Sequence, residues 1–500
     1  MQKKKLTLVI VSLLVVVLSV SLAYFTAQII GKGKDVSVTS ANLQIVFTDS
    51  DGALTETDIE PGWSATKTFT IKNDTKTEYK YNIVIKDLVN TFVTEGYLQY
   101  KITSTNNGYN MTEFKDIPKS SAPKDTILAY SVVIPNGVTQ SYTIEFKYAN
   151  DESIDQSDDM GKQLSGTLFI TEGTEDPNKT LLTQLFADKS TVLTRTDFSK
   201  VLTDNNTNTL YTSTEDSKTV YYFAGNATDN WVKFGKNESN KDLYWRIIRT
   251  NSDGGVRLLY HGTSTTATDA YIGESAFNSG GSNIAYVSYM YGSLGSIPNA
   301  RTNQTNSSTI KTTIDNWYTR NLEAKGYTKY LSTTAVYCND RTYTVSGNNT
   351  YFGARTRLET NKTPSYDCKA TEDKFTVDTS TGNGKLTYPI ALMTADEVSF
   401  AGGVYDTNAP TWYYYNSANK SSTGVQYWWL LSPYAWGGSG TNVFIVYGSP
   451  IPGYLLGCDV DVYNTYGVRP AISLKSCVKT SGGNGSASDP YTIKETETGC

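Results

Sequence analysis

The chain has 500 residues, with 44 Lys and Arg against 49 Asp and Glu, and its single histidine is His261. With a mildly acidic balance and no long basic run it lacks the electrostatic footprint that nucleic-acid binding needs, which excludes DNA and RNA as partners. One histidine also excludes a His-rich zinc site within the chain, and any Ser/His/Asp triad would have to use His261.

Lys3, Lys4 and Lys5 precede an almost unbroken apolar run from Leu6 to Phe25. As a helix rising about 1.5 Å per residue, that run spans roughly the 30 Å of a bilayer core. The lysines hold its first end in the cytoplasm. Residues 1–30 therefore read as a transmembrane anchor or as a signal peptide, with small residues at Ser21 and Ala23 marking a cleavage region. Both outcomes place Gln28 onward outside the cytoplasm, at the cell surface or secreted.

Residues 36–172 show a period of two. Tyr79, Tyr81, Ile83 and Ile85 alternate with Lys80, Asn82, Val84 and Lys86, and Tyr142, Ile144, Phe146 and Tyr148 alternate with Thr143, Glu145 and Lys147. Further strands are expected at 41–48, 66–73, 127–134 and 164–170, between turn signals such as Pro61-Gly62 and Pro135-Asn136-Gly137. Short alternating strands without helices predict an all-β antiparallel sandwich, Ig-like or jelly-roll-like. The 37 tyrosines and 39 glycines suit such β-rich, loop-rich extracellular domains.

The stretch Gly173 to Thr180 marks a boundary, and residues 173–219 read as a linker with short helices. An α+β domain is expected over 220–477, followed by a C-terminal tail over 478–500. The domain opens on two apolar stretches around Asn251-Ser252-Asp253-Gly254-Gly255, a strong hairpin signal. Ile310, Ile314, Trp317, Tyr318 and Leu322 then share one helical face, with Ser307 or Ser308 as cap and Gly326 as stop. A second helix is predicted where Thr394 and Glu397 have capping-box spacing and Gly402 follows.

In an exported chain the five cysteines read first as disulfides. The nearest neighbours in sequence, Cys338 with Cys368 and Cys458 with Cys477, are the expected pairs, leaving Cys500 free or intermolecular. Five reduced thiols are the alternative.

Two resemblances follow. The leader with "AYFTAQ", "ANLQIVFTDSD", "IEPGW" and "TFTIKN" resembles exported β-sandwich proteins of the camelysin and TasA biofilm-fibre type. The fibre-forming members lack a second large domain, and no H-E-x-x-H protease motif is present. The segments "YYFAGN", "YWRIIRTN", "YCNDRTY", "YPIALMTADEVSFAGG", "WWLLSP", "GVRPAISL" and "GNGSASDPYTI", between Tyr221 and Ile493, resemble an uncharacterised domain family on surface proteins of Gram-positive bacteria. Its closing W-x-L-S-P and G-V-R-P-A strands are similar to the C-type-lectin-like fold shared with formylglycine-generating enzymes. The closely spaced cysteine pair that such an enzyme's active site would require is missing.

Within Tyr427 to Gly440, both faces of the first five residues are apolar, which predicts a buried central strand ended by Pro433. Tyr434 and Trp436 then enter a glycine-rich loop as candidates for a platform that stacks on sugar faces or peptide side chains, with Asn442 beside them. Asp459, Asp461 and Asn464 supply hard oxygens at alternate spacing that a lectin-like loop would gather around calcium; a solvated strand edge predicts the same letters, and no other cofactor is implied. His261 before Gly262-Thr263-Ser264 reads either as a general base near hydroxyls or as a turn histidine, and Arg469 as an anchor with a buried hydrogen-bond fork. Together these features lead to a cell-surface or secreted, non-catalytic module for adhesion or display, taking a glycan, cell-wall or host-surface ligand. An exported enzyme, formylglycine-generating or a hydrolase centred on His261, and a biofilm-matrix or pilus-like subunit are the alternatives.

Overall fold

The computed structural model describes residues 36–40, 43–49, 54–56, 59–174, 176–267, 270–413, 415–416, 427–437, 440–448, 453–458 and 460–500. The expected anchor or signal peptide at 1–30, with Ser21 and Ala23, lies outside them. Among the described residues no helix is long and apolar enough to cross a membrane. The chain divides into two compact units, 1–177 and 178–500. It is mostly β-strand, in several antiparallel and mixed sheets with few helices.

The first unit has the arrangement of a β-sandwich. One sheet orders the strands Val36–Ser40, Leu43–Asp49, Ser64–Asn73, Thr139–Tyr148, Leu98–Ser104 and Lys115–Asp116; the other orders Leu54–Glu56, Leu164–Glu172, Tyr79–Asn90 and Ser120–Ile134. All pairings are antiparallel. Alternation works as expected on Thr139–Tyr148, where Gln140, Tyr142, Ile144, Phe146 and Tyr148 are all buried. It is interrupted on Tyr79–Asn90: Asn82 and Val84 are buried too, so the wet face is confined to Lys80 and the Lys86–Asp87 step. Asn82 is tolerated because its amide is fully used, donating to Glu172 O at 2.8 Å and accepting from Ser131 N at 2.9 Å.

In the second unit a ten-stranded mixed sheet centres on the predicted hairpin, Asp242–Thr250 with Val256–Gly262, turned by Gly254 at φ 78°. The second hairpin strand continues the sheet through Pro470–Leu474 to Ile390–Leu392. Residues 173–219 do not serve only as a linker: Leu181–Asp188 is a helix, and Thr191–Thr194 and Thr209–Glu215 join this sheet. Nor is 478–500 a tail. Thr480–Gly482 and Tyr491–Ile493 pair with each other, and the latter runs parallel to Trp231–Lys236. A second sheet of seven strands is built around Trp428–Gly437. Both predicted helices form, Thr309–Tyr318 capped by Ser308 and Ala395–Ala401 with a complete Thr394/Glu397 capping box.

Cys338 and Cys368 are joined, but the expected Cys458–Cys477 pair is not made. Cys477 bonds Cys500, and Cys458 is the free cysteine, its thiol beside the Tyr405 hydroxyl. The reason is the return of the last strands to the sheet. Tyr330 Oη donates to Thr496 O and accepts from Thr496 N, which anchors the chain end next to Cys477. A non-reducing peptide map of the oxidised protein is expected to show Cys477 linked to Cys500 and one titratable thiol, Cys458. A peptide joining Cys458 to Cys477 would refute this topology.

Candidate functional site

The strand Trp428–Gly437 stays buried through Ala435 and emerges at Trp436, which is half-buried. Trp436 sits opposite Thr350 on one side and Thr441 on the other. Its indole N–H donates to Ser282 O at 3.1 Å, and the Thr441 hydroxyl donates to Gly281 O at 2.6 Å. The loop around 280–283 is thus strapped to the strand end. On that loop a Cβ at Gly280 would fall 2.3 Å from the Tyr286 ring, and one at Gly281 would fall 2.4 Å from the Tyr463 ring. Only glycine lets both rings rest directly on the backbone. Tyr463 is left 51% exposed, and Tyr286 meets Tyr291 edge-on at 5.9 Å.

Polar groups border these rings. The Asp461 carboxylate accepts from the Tyr463 hydroxyl at 2.8 Å and from the Asn442 amide at 3.4 Å. The hydrogen bond to Asp461 raises the Tyr463 pKa, so the phenol stays protonated. Tyr463 thus presents an exposed aromatic face next to a carboxylate and an amide, with Trp436 and Tyr286 held at the same 280–283 loop. That combination suits a ligand with alternating apolar and hydroxylated faces.

Of the residues singled out in the sequence, the structure joins Asn442 to Asp461, while Trp436, opposite Thr441, is strapped to the 280–283 loop on which Tyr463 rests. Tyr434 is not part of this surface. Pro433 does not end the strand; it sits where the register to Gly440–Val446 shifts, so its missing N–H disturbs no regular ladder, and the strand carries Tyr434 inward. There Tyr434 is 3% exposed, stacks on Tyr405, and donates to Glu359 at 2.9 Å. Asn464 turns away to Tyr466, donating to its hydroxyl at 3.3 Å. Asp459 lies outside the described residues. The Asp461 oxygens are engaged by Tyr463 and Asn442, and among the described residues no three acidic, His or Cys side chains group as metal ligands. Tyr463 and Tyr286 escaped the sequence reading; the Gly280-Gly281 pair was the signal that a ring would lie on the backbone.

His261 is not in a turn. It ends the strand Val256–Gly262, fully buried against Trp231, with neither ring nitrogen hydrogen-bonded. Burial, with Arg246 and Arg469 nearby, pushes its pKa well below the usual value and keeps it neutral. No hydroxyl is within its hydrogen-bonding reach, so the arrangement of a general base is not formed. Arg469 is buried over the Trp428 ring and donates to Tyr260 O at 3.2 Å, the anchoring role expected of it.

A second cluster lies inside. Glu397 Oε1 accepts from Arg249 at 2.9 Å and Arg257 at 2.8 Å, and Arg249 also reaches Glu215 at 2.7 Å. Arg357 bridges Asp340 at 2.6 Å and Asp396 at 2.8 Å. All of these groups except Glu215 border, with Tyr366, a cavity of about 20 Å³, the room of a single water. Every guanidinium there is already matched by a carboxylate. The cluster therefore organises the scaffold instead of receiving a substrate.

No protein-family model matches the chain, and no curated protein matches it. One solved structure, the crystal structure of a ruminal GH26 endo-beta-1,4-mannanase, aligns over 29% of this chain and 26% of its own, at 14% identity and a TM-score of 0.14. The chain thus spans about a quarter of that enzyme's length, and a superposition of this quality carries no argument about fold or activity.

Burial alone would raise the Glu397 carboxyl, but Arg257 and Arg249 outweigh it and hold it below the usual carboxylate range. Its contribution to stability is therefore complete above about pH 4.3, the ordinary glutamate value, and is lost as pH falls through the lower folded-state value. Glu397→Gln leaves the buried Arg257 without a carboxylate and Arg249 with Glu215 alone, and is expected to cost about 3–5 kcal/mol in denaturant melts at neutral pH. The difference from the unsubstituted protein should shrink in acid; a constant difference would show that the charge is not what matters.

Proposed function

We propose that the protein is a bacterial cell-envelope protein, held in the membrane by its N-terminal apolar segment or released from it, whose second unit binds a glycan of the cell wall or of a host surface. The first unit serves as a stalk, and the second displays a C-type-lectin-like layout of loops on a rigid sheet. The observation that carries this reading is the exposed Tyr463 ring seated on Gly281 beside Trp436 and the Asn442–Asp461 pair. A flat ring covers the C–H face of a pyranose while the amide and carboxylate meet its hydroxyls. Loop residues borne on a buried strand vary without disturbing the core, which is where recognition groups concentrate. The function is adhesion or display without turnover.

The test is a screen of the full chain against immobilised glycans and cell-wall fragments, in calcium and in chelator. Saturable binding is expected. Tyr463→Ala and Trp436→Ala should each weaken it about tenfold, or about 1.4 kcal/mol, with unfolding midpoints little changed. Gly281→Val should do the same by expelling the Tyr463 ring. Silence across the screen, or binding indifferent to all three substitutions, would sink the proposal.

A further inference from the structure

Lys189 follows the helix Leu181–Asp188, close to where the second unit begins at Asn178. Its amine donates to Asp229 O at 2.9 Å and meets Asp229 Oδ2 at 2.5 Å. The side chains are 1% and 6% exposed, and Nζ lies over the rings of Phe223 and Tyr491 at 5.5 and 5.7 Å. A buried ion pair is normally accompanied by hydrogen bonds that use its remaining oxygens. Here Asp229 Oδ1 is buried without a partner, and the Asp188 carboxyl and the Tyr491 hydroxyl interact with each other close by. An orphan oxygen on a buried amine–carboxylate contact calls for a chemical account.

The surroundings provide one. Burial raises the Asp188 carboxyl, in the side chain preceding Lys189, and favours its protonated form. Burial also raises the Tyr491 phenol, with Asp188 and Asp229 adding to the effect. Asp188 and Tyr491 thus border an aromatic-walled site beside the lysine–carboxylate contact. Asn208 N–H donates to Asp229 Oδ2 at 2.7 Å, which fixes that oxygen as the one to remain. The other buried lysine–carboxylate pair, Lys311 with Asp315, likewise leaves Asp315 Oδ1 buried without a partner, but it is an i,i+4 contact along one helix.

We propose that Lys189 and Asp229 are a self-modification site, where the protein joins its own side chains by an intramolecular isopeptide bond. A proton passes from the ammonium to the carboxylate; the neutral Nζ attacks Cγ, forming the C–N bond and a tetrahedral centre steadied by Asn208 N–H. The nitrogen gives up a second proton, which Asp188 and Tyr491 carry to Oδ1. The C–Oδ1 bond breaks and the oxygen leaves as water. Ammonium plus carboxylate yields amide plus one water, with no oxidant or outside nucleophile. Held contact of amine and acid supplies the entropic advantage that free groups lack. A pull arriving from the N-terminal side then crosses from Lys189 to Asp229 through a covalent bond and bypasses residues 190–228.

Mass spectrometry of the purified full chain, reduced and denatured, tests this. The unsubstituted protein should fall one water short of its sequence mass relative to Lys189→Arg, and digestion should yield a branched peptide joining Lys189 to Asp229. Asp229→Asn should still form the bond, releasing ammonia, and Asp188→Asn should slow or abolish it. Trypsin cleavage after Lys189 with an unmodified Asp229 peptide would overturn the proposal, as would a missing water mapped to Lys311 and Asp315. The readout on the unsubstituted chain decides the matter even if a variant fails to fold.

Discussion

The Glu397 carboxylate is the constraint around which the second unit is arranged. One oxygen accepts from the Thr394 backbone N–H at 3.0 Å and completes the cap of its own helix; the other takes Arg249 and Arg257 from adjacent hairpin strands. Arg257 also donates to Val336 O at 2.5 Å, and Arg249 ties in Glu215. One buried anion thus sets the position of a helix, two central strands and the loops near Val336 and Ser252. Charges this deep are costly to desolvate, so the arrangement is stable only as a complete set of bonds. Completeness is what makes it specific: a shifted register would leave a guanidinium unmatched.

The legible features were those written in neighbouring residues. The Thr394/Glu397 cap, the Asp253-Gly254 turn and the two-sided apolar character of Trp428 to Leu431 each depend on local spacing, and each appears in the structure. What stayed hidden depends on partners far along the chain. Tyr434 looked like a loop residue because its partners, Tyr405 and Glu359, lie far away in sequence. Cys477 finds Cys500 because two short strands carry the terminus back to the sheet, a closure invisible in spacing. His261 lay one residue inside a strand instead of one outside it, and that difference changes a solvated imidazole into a buried neutral ring.

Tyrosine abundance suggested pleated surfaces, and the structure adds a second use. Guanidinium groups in the interior lie on ring faces: Arg249 on Tyr366 at 4.4 Å, Arg257 on Tyr337 at 4.5 Å, and Arg246 on Trp231 at 4.0 Å. A ring covers the face of the cation that carboxylates in its plane do not reach. The Tyr337 phenol in turn donates to Pro389 O at 3.1 Å, whereas the Tyr366 hydroxyl is buried without a hydrogen-bond partner. Aromatic rings and ion pairs therefore form one interlocked interior.

That interior bears on the surface platform through Arg341. Its guanidinium is fully buried and reaches Asp373, Gln304 and the carbonyl of Met290, while Asn339 nearby holds the Tyr289 N–H and Leu431 O. These bonds secure the segment from Val287 to Tyr291 against the strand that ends at Trp436. Tyr286 and the 280–283 loop are carried by that segment, so the rings stand on backbone whose course is set by buried charge several residues away. A recognition surface of half-exposed rings loses little entropy on meeting a ligand when its support is already fixed in this way.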